Sequence, residues 1–272
     1  MPIFADQHLH CSYSPDSKAT MKEMAESAFS KGLKHISFTD HNDFEAPDYP
    51  EYPKGCWDLN VDSYLYEILK LREEYRDKMF VGFGIEIGLL PEAFRQNAVL
   101  AHSHEFDLVL GSVHFIDGLD IYDNKFFENR DIRSALGDYF RAIRDNIVKF
   151  NNFDVLAHMD MPTRVMPYPE DDYKPEEHKD IIDDILNYLI ENEKGIELNM
   201  SSLSKGKKNP CPNAYILKRY KELGGEIVTV GSDAHRPEIV GTHFDVAADI
   251  LADCGFKYYC TFENRTATFV KL

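Results

Sequence analysis

Residues 3–10 read Ile3-Phe4-Ala5-Asp6-Gln7-His8-Leu9-His10. A short apolar run ends there in two histidines spaced two apart, with an acid of the same parity behind them. In a β-strand, residues i and i+2 point to one side, so both imidazoles leave on the same face. Alone, such a pair is more readily a hydrogen-bonded couple in a core than a metal site. The same ending recurs, however. Thr39-Asp40-His41, Gly111-Ser112-Val113-His114, Ala157-His158-Met159-Asp160 and Gly231-Ser232-Asp233-Ala234-His235 each close an apolar run, and Glu86 closes Phe80-Val81-Gly82-Phe83-Gly84-Ile85. Six of the 11 histidines fall at run ends; His35, His102, His104, His178 and His243 fall at a strand start, in helices or in loops. Histidines and carboxylates gathered from many strand ends are what a multinuclear metal centre at one mouth of a barrel requires. A metal-dependent hydrolase is the leading reading.

The rest of the chain supports that architecture. Strands are predicted at 3–8, 35–39, 80–87, 108–113, 154–158, 195–199 and 226–231. Amphipathic helices are predicted between them at 21–30, 62–76, 92–104, 132–149, 176–193, 214–223 and 245–254. Thr20 and Glu23 form a capping-box pattern before the first helix, and Ile181, Ile182, Ile185, Leu186 and Leu189 follow helical spacing. Strand and helix in strict alternation imply a parallel sheet. Closed on itself, it is an α/β fold, a distorted seven-stranded (β/α) TIM-like barrel. A doubly wound open sheet is the weaker alternative, because its switch-point crevice does not gather side chains from every strand. Two more short strands are expected at 257–261 and 267–271, without a clear place in the sheet. No Gly-, Ser- and Pro-rich linker divides the chain, so residues 1–272 are expected to form a single domain. Two long loops rich in Pro, Tyr and acid, 43–60 and 159–175, follow strand ends and are expected to shape a substrate pocket.

Composition narrows the function. The 272 residues carry 30 basic and 47 acidic side chains, a formal charge of -17. That balance argues against a nucleic-acid surface and suits a cationic substrate or bound metal ions. Five cysteines without a C-x-x-C pair point to a reducing cytoplasm rather than a disulfide framework. No signal segment is evident, and no apolar run approaches the ~20 residues of a membrane span. A soluble cytoplasmic protein with no membrane partner is expected; oligomeric state is not legible.

Individual residues carry competing readings. Asp6 is expected to hold one of the neighbouring imidazoles in the correct tautomer. Asp16, in Tyr13-Ser14-Pro15-Asp16-Ser17, reads on its own as a turn residue or helix cap, and Asp40 as a turn cap. Glu86 at the end of an apolar run requires a cation, because a buried carboxylate costs several kcal/mol without one. A bridging metal ligand or a salt bridge to Arg or Lys would each serve.

Together these motifs resemble the PHP superfamily, named for polymerase and histidinol phosphatase domains. The matching segments are Asp6-Gln7-His8-Leu9-His10, Thr39-Asp40-His41, Gly84-Ile85-Glu86, Gly111-Ser112-Val113-His114, Ala157-His158-Met159-Asp160, Glu197-Leu198-Asn199 and Gly231-Ser232-Asp233-Ala234-His235. The chain length and the loop bearing Thr163-Arg164 are similar to the histidinol-phosphate phosphatase branch. The resemblance implies three divalent metal ions, drawn from Zn, Fe or Mn. His8, His10, Glu86 and Asp233 would hold one; Glu86, His114 and His158 the second; Asp16, His41 and His235 the third.

The implied reaction is hydrolysis of a small-molecule phosphate ester, L-histidinol phosphate, by a hydroxide shared between two metals. Glu86, Asp233 and His235 are the candidate catalytic residues. Arg164 is the candidate phosphate clamp, its competing reading being a loop arginine paired with an acid at 170–172. One departure concerns substrate binding. The family often carries an arginine after the sixth strand; here Lys205 is the available substitute. Asp43, Glu45, Trp57, Tyr168 and Asp171 are candidates to receive the substrate's amine and imidazole.

Three alternatives remain: a PHP phosphoesterase for phosphotyrosine, a nucleotide or a sugar phosphate; a non-enzymatic metal-binding regulatory domain, which would be expected to have lost ligands; and an amidohydrolase, which usually needs a carboxylated lysine where Glu86 stands.

Overall fold

The computed structural model describes residues 3–272. Seven parallel strands form the barrel: β1 (Ala5–Leu9), β2 (His35–Phe38), β3 (Phe80–Gly88), β4 (Leu108–Ser112), β5 (Val155–Leu156), β6 (Gly195–Asn199) and β7 (Val228–Gly231). They pair in chain order from β1 to β7. The two end strands meet through a single bridge, Leu9 to Ala234, with the Asp233 amide donating to the His8 carbonyl at 2.9 Å. The barrel is therefore nearly closed, as the alternation of strands and helices predicts.

Its outer layer is α1 (Met21–Ser30), α2 (Val61–Glu74), α3 (Phe94–Ala101), α4 (Ile132–Lys149), α5 (Lys179–Glu191), α6 (Ala214–Glu222) and α7 (Phe244–Asp253). Each matches a predicted segment to within a few residues. The Thr20 hydroxyl accepts from the Glu23 amide at 3.2 Å while Glu23 accepts from the Thr20 amide at 2.7 Å, completing the capping box. In α5 the buried face is Ile182, Ile185, Leu186 and Leu189, the 3.6-residue stripe expected of a helix on a sheet. No helix among the described residues is long and apolar enough to cross a membrane.

The final two strands, β8 (Tyr258–Glu263) and β9 (Thr266–Lys271), form an antiparallel hairpin. Asn264 and Arg265 make its two-residue turn with φ of 48° and 59°, the left-handed pair that matches strand twist. This hairpin floors the barrel. Cys260 and Phe262 pack on Leu108, Leu110, Val155 and Ala157 in a small cluster separate from the main core. Asp107 and Asp154, at the starts of β4 and β5, accept from the Asn264 amide and the Arg265 guanidinium at 3.0 and 2.8 Å. With its floor sealed at the strand starts, the barrel presents its open mouth at the strand ends, where the histidines are.

Candidate metal centre

Every predicted ligand reaches that mouth. His8, His10 and Glu86 are fully buried and His158 is 2% exposed, while His235 and Asp16 form the rim with side chains 26% and 28% exposed. Glu86 lies at the middle of the cluster. Its Oε1 is 2.8 Å from His158 Nε2 and 3.3 Å from His114 Nε2; its Oε2 is 2.9 Å from His41 Nδ1 and 3.4 and 3.5 Å from the Nε2 atoms of His8 and His10. Asp233 Oδ1 approaches His10 Nε2 at 3.4 Å, and Asp16 Oδ2 approaches His235 Nε2 at 3.1 Å.

Backbone geometry aims several of these groups. His158 and Asp233 leave their strands with φ of 27° and 51°, a left-handed conformation costing a non-glycine residue on the order of 1 kcal/mol. Gly231 makes space for the centre: a Cβ there would lie 2.2 Å from Glu197 Oε1 and 2.5 Å from His8 Cβ.

The donor chemistry fits divalent cations. His8 Nδ1 lies 2.7 Å from Glu197 Oε1, and His10 Nδ1 lies 3.0 Å from Ser14 Oγ, which itself donates to Asp40 at 2.7 Å. With each Nδ1 engaged as a donor, both Nε2 atoms direct lone pairs inward. They are 3.0 Å apart, a repulsive arrangement unless a proton or cation lies between them. His114 repeats the pattern: Nδ1 meets Asp43 at 2.7 Å, leaving buried Nε2 without a hydrogen-bond partner. His235 Nδ1 meets the Asp233 carbonyl at 3.1 Å, and its Nε2 faces the Asp16 carboxylate.

Four overlapping triplets bring donor atoms within 4.8 Å of one another: His10, His41 and His235; His8, His10 and Asp233; His8, Glu86 and His158; His41, Glu86 and His114. Eight of the nine expected ligands are in these triplets; Asp16 is in none and meets the cluster through His235 and His41, at 3.1 and 3.8 Å, so the triplets divide the ligands differently from the expected sets.

Electrostatics point the same way. Burial opposes charge on Glu86, yet His8, His41 and His114 hold its carboxyl well below the usual range. Burial likewise opposes protonation of His8, and Glu197, Glu86 and Asp233 outweigh it, raising its pKa well above the ordinary value. His41 reaches about 9, burial being overcome by Glu86 and Asp16. Burial lowers His10, reinforced by the charges of His235 and His41. The centre thus needs positive charge beside its acids, which protons on His8 and His41 supply, and it needs those protons to leave before the imidazoles can act as ligands. Divalent ions satisfy both requirements.

Two expectations are corrected. Asp6 does not orient an imidazole. Its carboxylate accepts from the Ser232 amide and hydroxyl at 2.9 and 2.6 Å and from the Gly241 amide at 3.0 Å. The register of β1 slips between Asp6 and Leu9, so the parity shared with His8 breaks there. Burial raises Asp6 to about 6 despite these bonds. Glu197 contacts the His8 imidazole instead, while also accepting from the His158 amide at 3.0 Å. Replacing Glu197 with Gln is expected to weaken metal binding about 10- to 100-fold with the fold intact, measured by competition with a chelator.

The second correction concerns the loop residues. Trp57 lines the cavity and meets His41 edge-on at 5.3 Å between ring centroids. Asp43 lines it as well, its carboxylate 2.7 Å from His114 Nδ1. Glu45 pairs with Lys54, Tyr168 donates to the Arg130 carbonyl, and Asp171 pairs with Lys208, all outside the cavity lining.

Arg164 is buried in the mouth. Its Nη1 donates to Asp233 Oδ2 at 2.8 Å and to the Tyr122 hydroxyl at 3.2 Å, not to the acids at 170–172. Its Nε and Nη2 are buried and have no hydrogen-bond partner among the described residues. Lys205 reaches the same Tyr122 hydroxyl at 3.2 Å. All three side chains line a cavity of about 440 Å³ over the cluster.

Comparison with known proteins agrees. Residues 6–201 match the family model described as PHP domain. A probable histidinol-phosphatase of Clostridium acetobutylicum is 34% identical over 93% of this chain and 94% of its own. A histidinol-phosphatase of Lactococcus lactis subsp. lactis is 30% identical over 95% and 94%. The crystal structure of the Lactococcus lactis histidinol phosphate phosphatase, complexed with zinc, L-histidinol and phosphate, superposes with a TM-score of 0.89 at 28% identity, covering 97% of this chain and 98% of that one. A barrel mouth furnished with imidazoles and acids, and sequence likeness along nearly all of its length, have one joint consequence: this chain belongs to the PHP domain family.

Proposed function

We propose that the protein is a metal-dependent phosphomonoesterase that hydrolyses L-histidinol phosphate to L-histidinol and phosphate. The carrying observation is a buried arginine with unspent donors, set beside a cluster of imidazoles and acids in one cavity. The relatives named for this activity support the choice of ester. Three ions are proposed, held by His8, His10, Glu86 and Asp233; by Glu86, His114 and His158; and by Asp16, His41 and His235. Histidine and carboxylate donors without thiolate suit Zn, Fe or Mn.

Bound ions supply Lewis acidity at phosphoryl oxygens and bring the pKa of a water toward neutrality. The chain's own groups do the remainder. Glu86, at the middle of the cluster, would be the ligand shared between two of the ions. Asp233 and His235 stand where the cluster meets the cavity, and Asp233 anchors Arg164. The planar guanidinium of Arg164 can hold two phosphate oxygens at once. Lys205 adds a second cation from the loop after β6. The five free cysteines fit a reducing cytoplasm.

The test is phosphate release by the metal-loaded protein from a panel including L-histidinol phosphate, phosphotyrosine, a nucleotide and a sugar phosphate. Clear preference for L-histidinol phosphate is expected; no release from it would reject the assignment. Arg164→Ala should lower kcat/KM about 10- to 100-fold, mostly through KM, by steady-state kinetics. Unchanged kinetics would remove Arg164 from the site.

A further inference from the structure

Asp43 borders the cavity, where a carboxylate reads first as the receiver of a cationic substrate group. Its side chain is turned the other way. His41 and Asn42 pair in parallel register with Glu86 and Ile87 of β3, so Asp43 comes next, beside Gly88. Gly88 pairs in turn with Ser112 of β4, two residues before His114. A Cβ on Gly88 would stand 2.0 Å from Asp43 Oδ1 and 2.7 Å from its Cγ. The bare glycine is therefore what lets the carboxylate cross over β3 and reach His114 Nδ1 at 2.7 Å.

Both oxygens face imidazoles. Oδ1 meets His114, and Oδ2 lies 3.7 Å from His41 Nδ1, buried and with no hydrogen-bond partner among the described residues. Only 3% of the residue is exposed, which leaves little of it for a substrate to touch. A carboxylate only accepts, so His114 Nδ1 carries the proton and the ring's lone pair falls on Nε2, 3.3 Å from Glu86 Oε1. His114 is assigned to the second proposed ion and His41 to the third, so one carboxylate stands behind ligands of both. The backbone of Asp43 has a separate task. Its amide donates to the Trp57 carbonyl at 3.1 Å and closes the loop that brings Tyr52 and Trp57 to the cavity. That bond does not depend on the side chain's charge.

We propose that Asp43 is a positioning residue of the metal centre rather than a receiver of substrate: its carboxylate fixes the ring and the tautomer that His114 needs to bind a cation. The inference rests on the proposed metal centre and not on the choice of ester. Asp43→Asn keeps the size of the side chain and the backbone bond to Trp57 and removes the charge. Zinc affinity is measured by competition with a chelator. The kinetic constants for L-histidinol phosphate are measured at low, buffered zinc and again at saturating zinc.

The expected result is zinc bound about 10-fold or more weakly at one site, with kcat lowered at low zinc, restored by saturating zinc, and KM within twofold throughout. Gly88→Ala, whose Cβ displaces the carboxylate without altering its charge, should weaken zinc binding in the same direction and supplies the reading if Asp43→Asn does not fold. Unchanged zinc affinity overturns the proposal. A KM raised tenfold that saturating zinc does not restore also overturns it, because that is the behaviour of a residue that receives substrate. Weakened zinc binding in a protein that does not hydrolyse L-histidinol phosphate keeps Asp43 in its role and rejects the ester instead.

Discussion

Replacing His8 with alanine is expected to cost the protein at least one metal ion and to lower phosphatase activity about a thousandfold or more. That size follows from losing several kcal/mol of charge stabilisation that a bound cation supplies. His8 is fully buried, and its Nε2 faces both His10 Nε2 at 3.0 Å and Glu86 Oε2 at 3.4 Å. No neighbouring side chain can replace that donor. The fold should survive, because Glu197 keeps the His158 amide and the Asn199 side chain as donors, each at 3.0 Å. Elemental analysis and phosphate release check both halves. His104→Ala, at an exposed contact with Asp62, is the control that should change neither. Normal activity in metal-saturated His8→Ala would refute its role.

Glu86→Gln is expected to be as damaging by a different route. The substitution keeps the shape and removes the charge around which His8, His10, His41, His114 and His158 are arranged. The Ser112 hydroxyl, which donates to Oε1 at 2.6 Å, would still find a carbonyl oxygen. Packing is thus preserved while the carboxylate proposed to bridge two ions is lost, and activity should again fall about a thousandfold or more. Thermal melting supplies an independent reading. Ions that bind the folded state alone raise its stability by mass action. Wild-type Tm should therefore rise on adding zinc or manganese, and Glu86→Gln should show little or none of that rise. An equal rise in both proteins would contradict a bridging role.

Both substitutions fall on residues that were legible in the sequence, and the reason is geometric. A parallel barrel places every strand end at one mouth, so a histidine after an apolar run is already placed in space. Helix faces such as Ile182, Ile185, Leu186 and Leu189 were legible for a similar reason, since period and burial coincide. What lay beyond reach depends on contacts between strands. Glu197 shares a motif with Asn199, but its parity shows only that it faces inward, not that it meets His8 across the seam. Asp6 was misjudged because a register slip is invisible to a two-residue period. Tyr122 sits in an irregular loop, where no periodicity says which way a side chain turns. The terminal hairpin was visible as two strands. Its role as the barrel floor emerges only from Phe262 and Cys260 packing on β4 and β5.

The central claim is that nine side chains drawn from around the barrel mouth hold divalent cations. Anomalous diffraction from crystals grown with manganese tests it most directly. The account predicts three strong peaks: between His8, His10, Glu86 and Asp233; between Glu86, His114 and His158; and between Asp16, His41 and His235. A map with no peak among these imidazoles and carboxylates would contradict it.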